Sequence, residues 1–404
     1  MHWKVRNVEE LRMRFISAWQ TGDDTMTELC AAAGISRDAG YRWRRAYEAE
    51  GLAGLRTHSS APHSHPNAVA PELSKRILAA KRRHPTWGAL KLLAHLRQVD
   101  PDERWPAAST VSCLLDRAGL TRSRRRRPSC GEPRRALTDY AGPNVVWCID
   151  FKGWFRCGNG DRCDPLTLID GATRYLLRCQ ALDKADYGHV KALLEAAFGE
   201  YGLPRVLRSD NGSPFATRGF ARLSRLAVWL VHLGVRPELT APGSPDQNGR
   251  QERFHRTLKA ECANPPAQDL VAQQRRFHRF RREYNEVRPH QALDQMPPSS
   301  LYTRSERRWP RRLPMLSYPD GMRRRLVRKS GCIRWKEGLV EVGSVLVGET
   351  LGFAPLGDDD GRYWRAFLGP LPLAVFDERY GLWVNEKEAE RLVQRYWQNQ
   401  PWHW

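Results

Sequence analysis

The chain has 404 residues and a mass of 46.5 kDa, which at roughly 100–200 residues per domain predicts two to four domains. It carries 66 Lys and Arg against 45 Asp and Glu, a formal charge of +21; with 41% apolar residues and 15 Trp it can bury cores, which excludes a wholly disordered polymer. No apolar run of 18 residues occurs, and the opening MHWKVRNVEELRMRF lacks the apolar stretch of a secretory leader; this excludes a membrane protein and predicts a cytoplasmic one.

Residues 8–50 read as helices. The segment TMTELCAAAGISRDAGYRWRRAYEAEG carries the punctuation of a helix-turn-helix. Thr25 and Glu28 form a capping box, Ala31 to Ala33 permit close packing, Gly34 supplies the turn, and Ser36 caps a second helix. That second helix exposes Arg37, Arg42, Arg44 and Arg45, with Trp43 and Tyr47 on another face. The plain alternative is an ordinary helical hairpin. Residues 1–58 are therefore expected to be a DNA-binding unit, and 59–71 (SSAPHSHPNAVAP) a linker. A second unit, helix-turn-helix or winged-helix-like, is expected over 72–121. Pro71 opens its first helix, Thr86 is expected to cap TWGALKLLAHLR, Ser109 to cap STVSCLLDRAGL, and Gly119 to end it. A basic connector follows over 122–139, with Arg124, Arg125, Arg126 and Arg127 as DNA-contact candidates.

From residue 144 the pattern changes to apolar runs of strand length. VVWCIDFKGWF, PLTLIDGATRYLLRCQAL and PRVLRSD are separated by turns, and the helix DYGHVKALLEAAFGEYG precedes the third. Helices follow through FARLSRLAVWLVHLG, from about Asn248 onward, and through LVAQQRRFHRFRREYNEVR. This pattern predicts an α/β core over 140–303. A second basic connector covers 304–325, and across 304–336 twelve Lys and Arg face two acids. Two arginine-dominated connectors favour a polyanionic partner, because phosphate accepts bidentate guanidinium contacts. Over 326–404, CIRW, GLVEVG, WRAFLG and LAVFD predict a small β-barrel, and Asn385 with Glu388 caps a last helix. The nine Cys are scattered, and Cys157 and Cys163 merely bracket the turn GNGDR without a second CxxC or an HxxxH. Reduced thiols are expected, not a disulfide framework or a zinc site.

Chemistry points to three carboxylates. Asp150 lies inside the apolar strand VVWCIDFKG, where a charge is costly unless paired or bound to a cation. Asp210 ends another strand, just before the turn NGSPF. Two Asp at adjacent strand ends can converge on a cation, and Glu252, early in a helix after a Gly/Pro/Asn loop, offers a third ligand. Glu252, Arg256 and Lys259 recur at i, i+4 and i+7 on one helix face, with Phe254 and Leu258 on the other. The plain alternative is that Glu252 and Arg256 form a surface ion pair. Asp170, Asp246 and Glu261 are rejected as ligands by their context.

WCIDFKG, RSDNGSPF, APGSPDQNGRQERFHRTLKAE and YNEVRPHQALDQMPPSSLY, in that order, resemble the catalytic core of the retroviral-integrase type. They are most similar to insertion-sequence transposases of the IS481/IS3 kind. The likeness covers residues 140–303, with the N-terminal helical units and the C-terminal β segment matching more loosely. Each motif is moderately specific alone, and the four in order are very specific. The resemblance implies a multidomain chain with N-terminal all-α helix-turn-helix units, a central α/β RNase H-like core with a mixed five-stranded sheet, and a C-terminal small β-barrel.

It further implies that Asp150, Asp210 and Glu252 are the DDE ligands of two Mg²⁺ (or Mn²⁺) ions. Asn211, Gly212, Asn248 and Gly249 would shape the surrounding loops, while Arg256 and Lys259 would contact DNA. The implied reaction is cleavage at the ends of an element, then attack of the freed 3′-OH on target DNA. The partners are double-stranded DNA and further copies of the chain assembled on it, with no membrane. No side-chain nucleophile is needed, and His290 is expected to be structural. One departure is that 41 residues separate Asp210 from Glu252, more than in the family pattern, with the surplus expected in TRGFARLSRLAVW. An RNase H-like nuclease without strand transfer and a domesticated DNA-binding regulator are the rival readings.

Overall fold

A computed structural model describes residues 7–57, 68–121, 137–241, 245–358 and 360–397, the side chains of 245–248 excepted, and the chain divides into two units, Met1–Ala70 and Pro71–Trp404. In the first unit, α1 (Val8–Thr21), α2 (Met26–Ala33) and α3 (Arg37–Glu50) close over Phe15, Ile16, Leu29, Cys30 and Leu55. The capping box forms as expected: the Thr25 side chain accepts from the Glu28 N–H, and the Glu28 carboxylate accepts from the Thr25 N–H at 2.8 Å. Gly34 turns the chain at φ 66°, a left-handed conformation that glycine adopts without strain, and Ser36 caps α3.

The second unit opens with α4 (Pro71–Arg83), α5 (Ala89–Val99) and α6 (Ala108–Arg117), packed around Ile77, Trp87, Leu92, Leu93, Val111 and Leu115. Two expected caps are absent. Helix α5 starts at Ala89 behind Gly88, and Thr86 instead gives its hydroxyl hydrogen to Glu261 at 2.5 Å. Helix α6 starts behind Ala107, which has no side-chain cap, so Ser109 lies within the first turn. Gly119 follows α6 at φ 67° with its N–H on the Asp116 carbonyl.

The central sheet comprises β1 (Val146–Phe151), β2 (Phe155–Arg156), β3 (Arg162–Asp170), β4 (Leu176–Leu182), β5 (Val206–Ser209) and β6 (Arg236–Leu239). Strand β3 runs antiparallel to both β1 and β4, whereas β1–β5 and β5–β6 are parallel. The two-residue β2 continues the line of β1 along the same side of β3. The result is the expected mixed sheet of five strand positions with β2 as an extension. Strand β6 (RPEL) was not foreseen, because a four-residue half-buried run with a Pro has no alternating signal.

Helices cover both faces. On one, α7 (Tyr187–Tyr201) and α8 (Arg225–His232) pack on Trp147, Ile149, Leu166 and Leu168. On the other, α9 (Pro245–Leu258) and α10 (Leu270–Glu286) pack on Cys163, Ile169, Leu176 and Cys179 through Phe254, Leu258, Phe277 and Phe280. The expected helix through FARLSRLAVWLVHLG is shorter, since Ala221 and Arg222 take positive φ values of 48° and 56° before α8 begins. All eight described cysteines are free.

The connector at 304–325 is pinned to the core, not free. The Arg307 guanidinium bonds the carbonyls of Pro204, Leu233 and Gly234, and the Leu203 N–H donates to the Arg307 carbonyl at 2.7 Å. Beyond it lie β7 (Arg323–Leu326), β8 (Cys332–Trp335), β9 (Gly338–Glu341), β10 (Thr350–Pro355), β11 (Tyr363–Leu368), β12 (Leu371–Asp377), β13 (Leu382–Trp383) and α11 (Glu386–Tyr396), the last capped by Asn385. Of the expected small barrel, the described residues form a half-barrel sheet. The order β13-β12-β11-β10-β7 is an open five-stranded sheet, accompanied by the hairpin β8-β9, and no described ladder joins β13 to β7. This sheet packs on the core through Leu223, Ala227, Val228 and Val231, at and just before α8. Among the described residues no helix is long and apolar enough to cross a membrane.

Candidate active site

The site is built by strand register. The parallel pairing of β1 with β5 matches Val146 with Val206, Trp147 with Leu207 and Cys148 with Arg208. Asp150 lies two residues further along β1, and Asp210 directly follows Ser209, the last residue of β5, so a continuation of that register would bring the two level. Side chains alternate along a strand, so both carboxylates share the face of Cys148 and Arg208, on strands about 4.8 Å apart. The two Asp line one cleft with Tyr140, Arg208, Arg250 and Gln251.

The loop after β5 holds Asp210 in place. The Gly212 N–H donates to Asp210 Oδ1 at 3.1 Å, and Asn211 Nδ2 donates to the Thr240 carbonyl at 2.6 Å, tying the loop to the end of β6. A Cβ on residue 212 would stand 3.2 Å from Asp210 Oδ2, so the carboxylate closes over a position where glycine leaves it room. On α9, Phe254 and Leu258 are buried, which turns Glu252, Arg256 and Lys259 outward. Lys259 begins a single π-helical turn, Lys259–Ala263.

Burial, and then the charges of Asp210 and Glu252, push the Asp150 carboxyl up to about 7 against the opposing Phe151 N–H. Both other acids therefore act electrostatically on Asp150. Among the described residues, however, no three His, Cys, Asp or Glu side chains are gathered closely enough to hold an ion. Glu252 is exposed and stands apart from the cleft that the two Asp line. In chemistry the set fits a hard divalent cation: oxygen donors whose mutual repulsion a cation relieves.

His255 escaped sequence reasoning. Its Nε2 lies 3.0 Å from Thr167 Oγ1, whose hydroxyl donates to the Asp150 carbonyl at 3.1 Å, and its Nδ1 lies 3.8 Å from Asp150 Oδ2. Burial, with a contribution from the Lys152 ammonium, lowers its imidazole to about 4. Lys152 is itself held low by burial and by Lys259. The only sequence signal for His255 is its position three residues after Glu252 on one helix.

The rejected carboxylates have structural partners. Asp170 is fully buried and accepts from the Thr173 and Asn144 N–H groups at 2.8 and 2.7 Å; Glu261 pairs with Arg288 and Thr86. The side chain of Asp246 lies outside the described residues. His290 packs edge-on against Tyr284 with centroids 4.6 Å apart. Of the α3 arginines, Arg37, Arg42 and Arg45 are exposed. Arg44 bonds Glu48 at 2.7 Å and lies 4.7 Å over the Trp19 ring. Arg124, Arg125, Arg126 and Arg127 lie outside the described residues.

Comparison with known proteins matches this architecture. Family models described as "Integrase core domain" match residues 141–245 and 233–298. A "Helix-turn-helix domain" matches 11–63 and a "Homeodomain-like domain" 39–115. The chain is 31% identical over 265 residues to the insertion element IS407 uncharacterized 31.7 kDa protein of Burkholderia multivorans, covering 64% of this chain and 89% of that one. It is 30% identical over 258 residues to the insertion element IS476 uncharacterized 39.2 kDa protein of Xanthomonas euvesicatoria, covering 62% and 70%. It is also 30% identical over 230 residues to the transposase InsD for insertion element IS2D of Escherichia coli, covering 52% and 71%.

Among solved structures, the HTLV-2 integrase catalytic core domain in complex with magnesium aligns at a TM-score of 0.30 and 12% identity, over 40% of this chain and 99% of that one. The simian T-cell lymphotropic virus intasome aligns at 0.34 and 15%, over 74% and 98%. The chain belongs to the insertion-element transposases built on an integrase core domain.

Proposed function

We propose that Asp150, Asp210 and Glu252 are the catalytic carboxylates of this DDE-type polynucleotidyl transferase, cutting the DNA at element ends and joining the freed 3′-OH to target DNA. The observation that supports the assignment is that Asp150, near the end of β1, and Asp210, just past the end of the neighbouring parallel strand β5, line one cleft. These acids would hold Mg²⁺ or Mn²⁺, two ions in our reading, which when bound supply charge neutralisation at the phosphate and a lowered barrier to oxygen attack. In cleavage, a water oxygen bonds to phosphorus as the bond to the 3′ oxygen breaks, leaving a 3′-OH and a 5′-phosphate. In joining, that 3′ oxygen bonds to a target phosphorus as the bond to the target's own 3′ oxygen breaks, and the proton lost by the attacking hydroxyl is balanced by the one the displaced oxygen takes up as a new 3′-OH. The chain's part is to orient the phosphate and to offset its charge, for which Arg256 on the exposed face of α9 and Lys259 in the turn that follows it are available beside Glu252.

The helical segments at 1–58 and 72–121 would recognise the element's ends, through Arg37, Arg42 and Arg45 in the first, with Arg44 buttressing α3. The connector arginines 124–127 would grip backbone phosphate. Joining two ends requires at least two copies of the chain on double-stranded DNA, in the cytoplasm at the nucleoid. The C-terminal sheet and hairpin are read here as an incompletely closed small barrel that adds a further basic surface.

The decisive experiment is Mg²⁺-dependent cutting and joining of a labelled end by the wild type, Asp210→Asn and Glu252→Gln. Both variants should lose cutting and joining by on the order of 10³-fold while still binding the end. Undiminished joining by Asp210→Asn would overturn the assignment, and cutting without joining in the wild type would make the enzyme a nuclease.

A further inference from the structure

His255 lies three residues after Glu252 on α9, with a side chain only 13% exposed. The fully buried Thr167 has one hydroxyl hydrogen, and gives it to the Asp150 carbonyl across the antiparallel β1–β3 pairing at 3.1 Å. The same oxygen lies 3.0 Å from His255 Nε2; with its hydrogen on the Asp150 carbonyl it accepts from the ring, which is the tautomer protonated at Nε2. Nδ1 is left as a bare lone pair. It faces Asp150 Oδ2 at 3.8 Å, beyond hydrogen-bond range. Two acceptors turned toward one another repel unless a proton or a cation lies between them. Two neighbouring ligands of one ion, with bonds of about 2.0–2.2 Å, stand about 3.0–3.5 Å apart. A closing of less than about 1 Å would bring this pair to that separation.

We infer that His255 Nδ1 is a ligand of the divalent cation held at Asp150, and that Thr167 is the outer partner fixing the ring's tautomer. The inference rests on the carboxylate reading above and adds a nitrogen donor to it. Histidines that bind metals commonly commit their other ring N–H to an oxygen acceptor, which Thr167 provides. An all-oxygen set suits Mg²⁺, whereas a nitrogen donor shifts preference toward Mn²⁺ and later transition metals. His255 also joins the helix that carries Glu252 to the strand that carries Asp150, so its bond to the ion would draw the two elements together.

The test uses the full chain loaded with Mn²⁺ and read by electron spin echo envelope modulation, which detects nitrogen bonded to manganese without turnover. The wild type should show histidine nitrogen coupling, and labelling with nitrogen-15 histidine should change its pattern without any substitution. His255→Asn should lose the coupling and bind Mn²⁺ less tightly, narrowing the Mn²⁺ over Mg²⁺ preference by roughly tenfold. Thr167→Val should weaken Mn²⁺ binding by about tenfold or more while the ring remains. Manganese whose binding Asp150→Asn abolishes, yet which shows no histidine coupling in the wild type, would overturn the inference and leave the carboxylate reading standing. Binding that Asp150→Asn leaves unchanged would overturn the carboxylate reading itself.

Discussion

Gly212 sits directly against Asp210, one of the proposed catalytic acids. Its N–H holds Asp210 Oδ1, and an added methyl would stand 3.2 and 3.3 Å from the two carboxylate oxygens. Those contacts are closer than carbon and oxygen comfortably accept, so the carboxylate has to turn. Gly212→Ala is expected to lower joining by at least about tenfold. Because the residue is exposed in a turn, the melting temperature should stay within about 1 °C of wild type. A joining rate equal to wild type would show that Asp210 tolerates the displacement. Asp150 and Asp210 were legible in the sequence because a charge inside an apolar strand or at its end needs a reason. His255 was not, since its partner Thr167 is 88 residues away and only the folded sheet brings them together.

Helices α1 to α3 of the N-terminal unit depend on one residue without a side chain. A Cβ on Gly40 would lie 2.5 Å from Cys30 Sγ and 2.9 Å from the Phe15 ring, so α3 packs against the other two helices only because residue 40 is glycine. Gly40→Ala should destabilise this unit by about 1–3 kcal/mol. Adding Cys30→Ala should recover part of that loss, because it removes the sulfur the new methyl meets. Chemical denaturation of the two variants and the double variant measures the coupling, and strict additivity would refute the contact. At this scale the sequence was informative where a signal is local. Thr25, Glu28 and Ser36 cap helices as their spacing predicts. Thr86 and Ser109 have the right residue type and do not cap, Thr86 because its hydroxyl is taken by Glu261 from a distant helix. Strands β7, β10 and β13 went unseen as well, each too short or too irregular in pattern to carry an alternating signal.

Part of the chain's basic excess, +21 overall, is a structural resource within the second unit. Arg307 holds carbonyls, and a polar seam docks the helices α4 to α6 on the catalytic core. In that seam His84 Nδ1 meets Glu283 at 2.8 Å, Arg288 pairs with Glu261, and the Arg288 guanidinium lies 5.8 Å from the Trp87 ring centroid. Lys91 sits in the same seam. Burial, and then the Arg288 charge, lower its ammonium from 10.5 to about 8 despite Glu261. The sign of the linkage follows. Below about pH 8 the ammonium is charged in folded and unfolded chains alike, and the cost of burying it is fully present. Between about 8 and 10.5 the unfolded chain keeps a proton that the folded chain has released, so this residue's contribution to stability rises with pH. Lys91→Met keeps the length of the side chain and removes the charge. It should melt higher than wild type at pH 7, and the gap should narrow steadily from pH 8 toward 10.5. Taking the difference between the two proteins at each pH cancels the other groups that titrate in that range. A gap that stays constant across the range would show that Lys91 is solvated and that the seam closes without burying it.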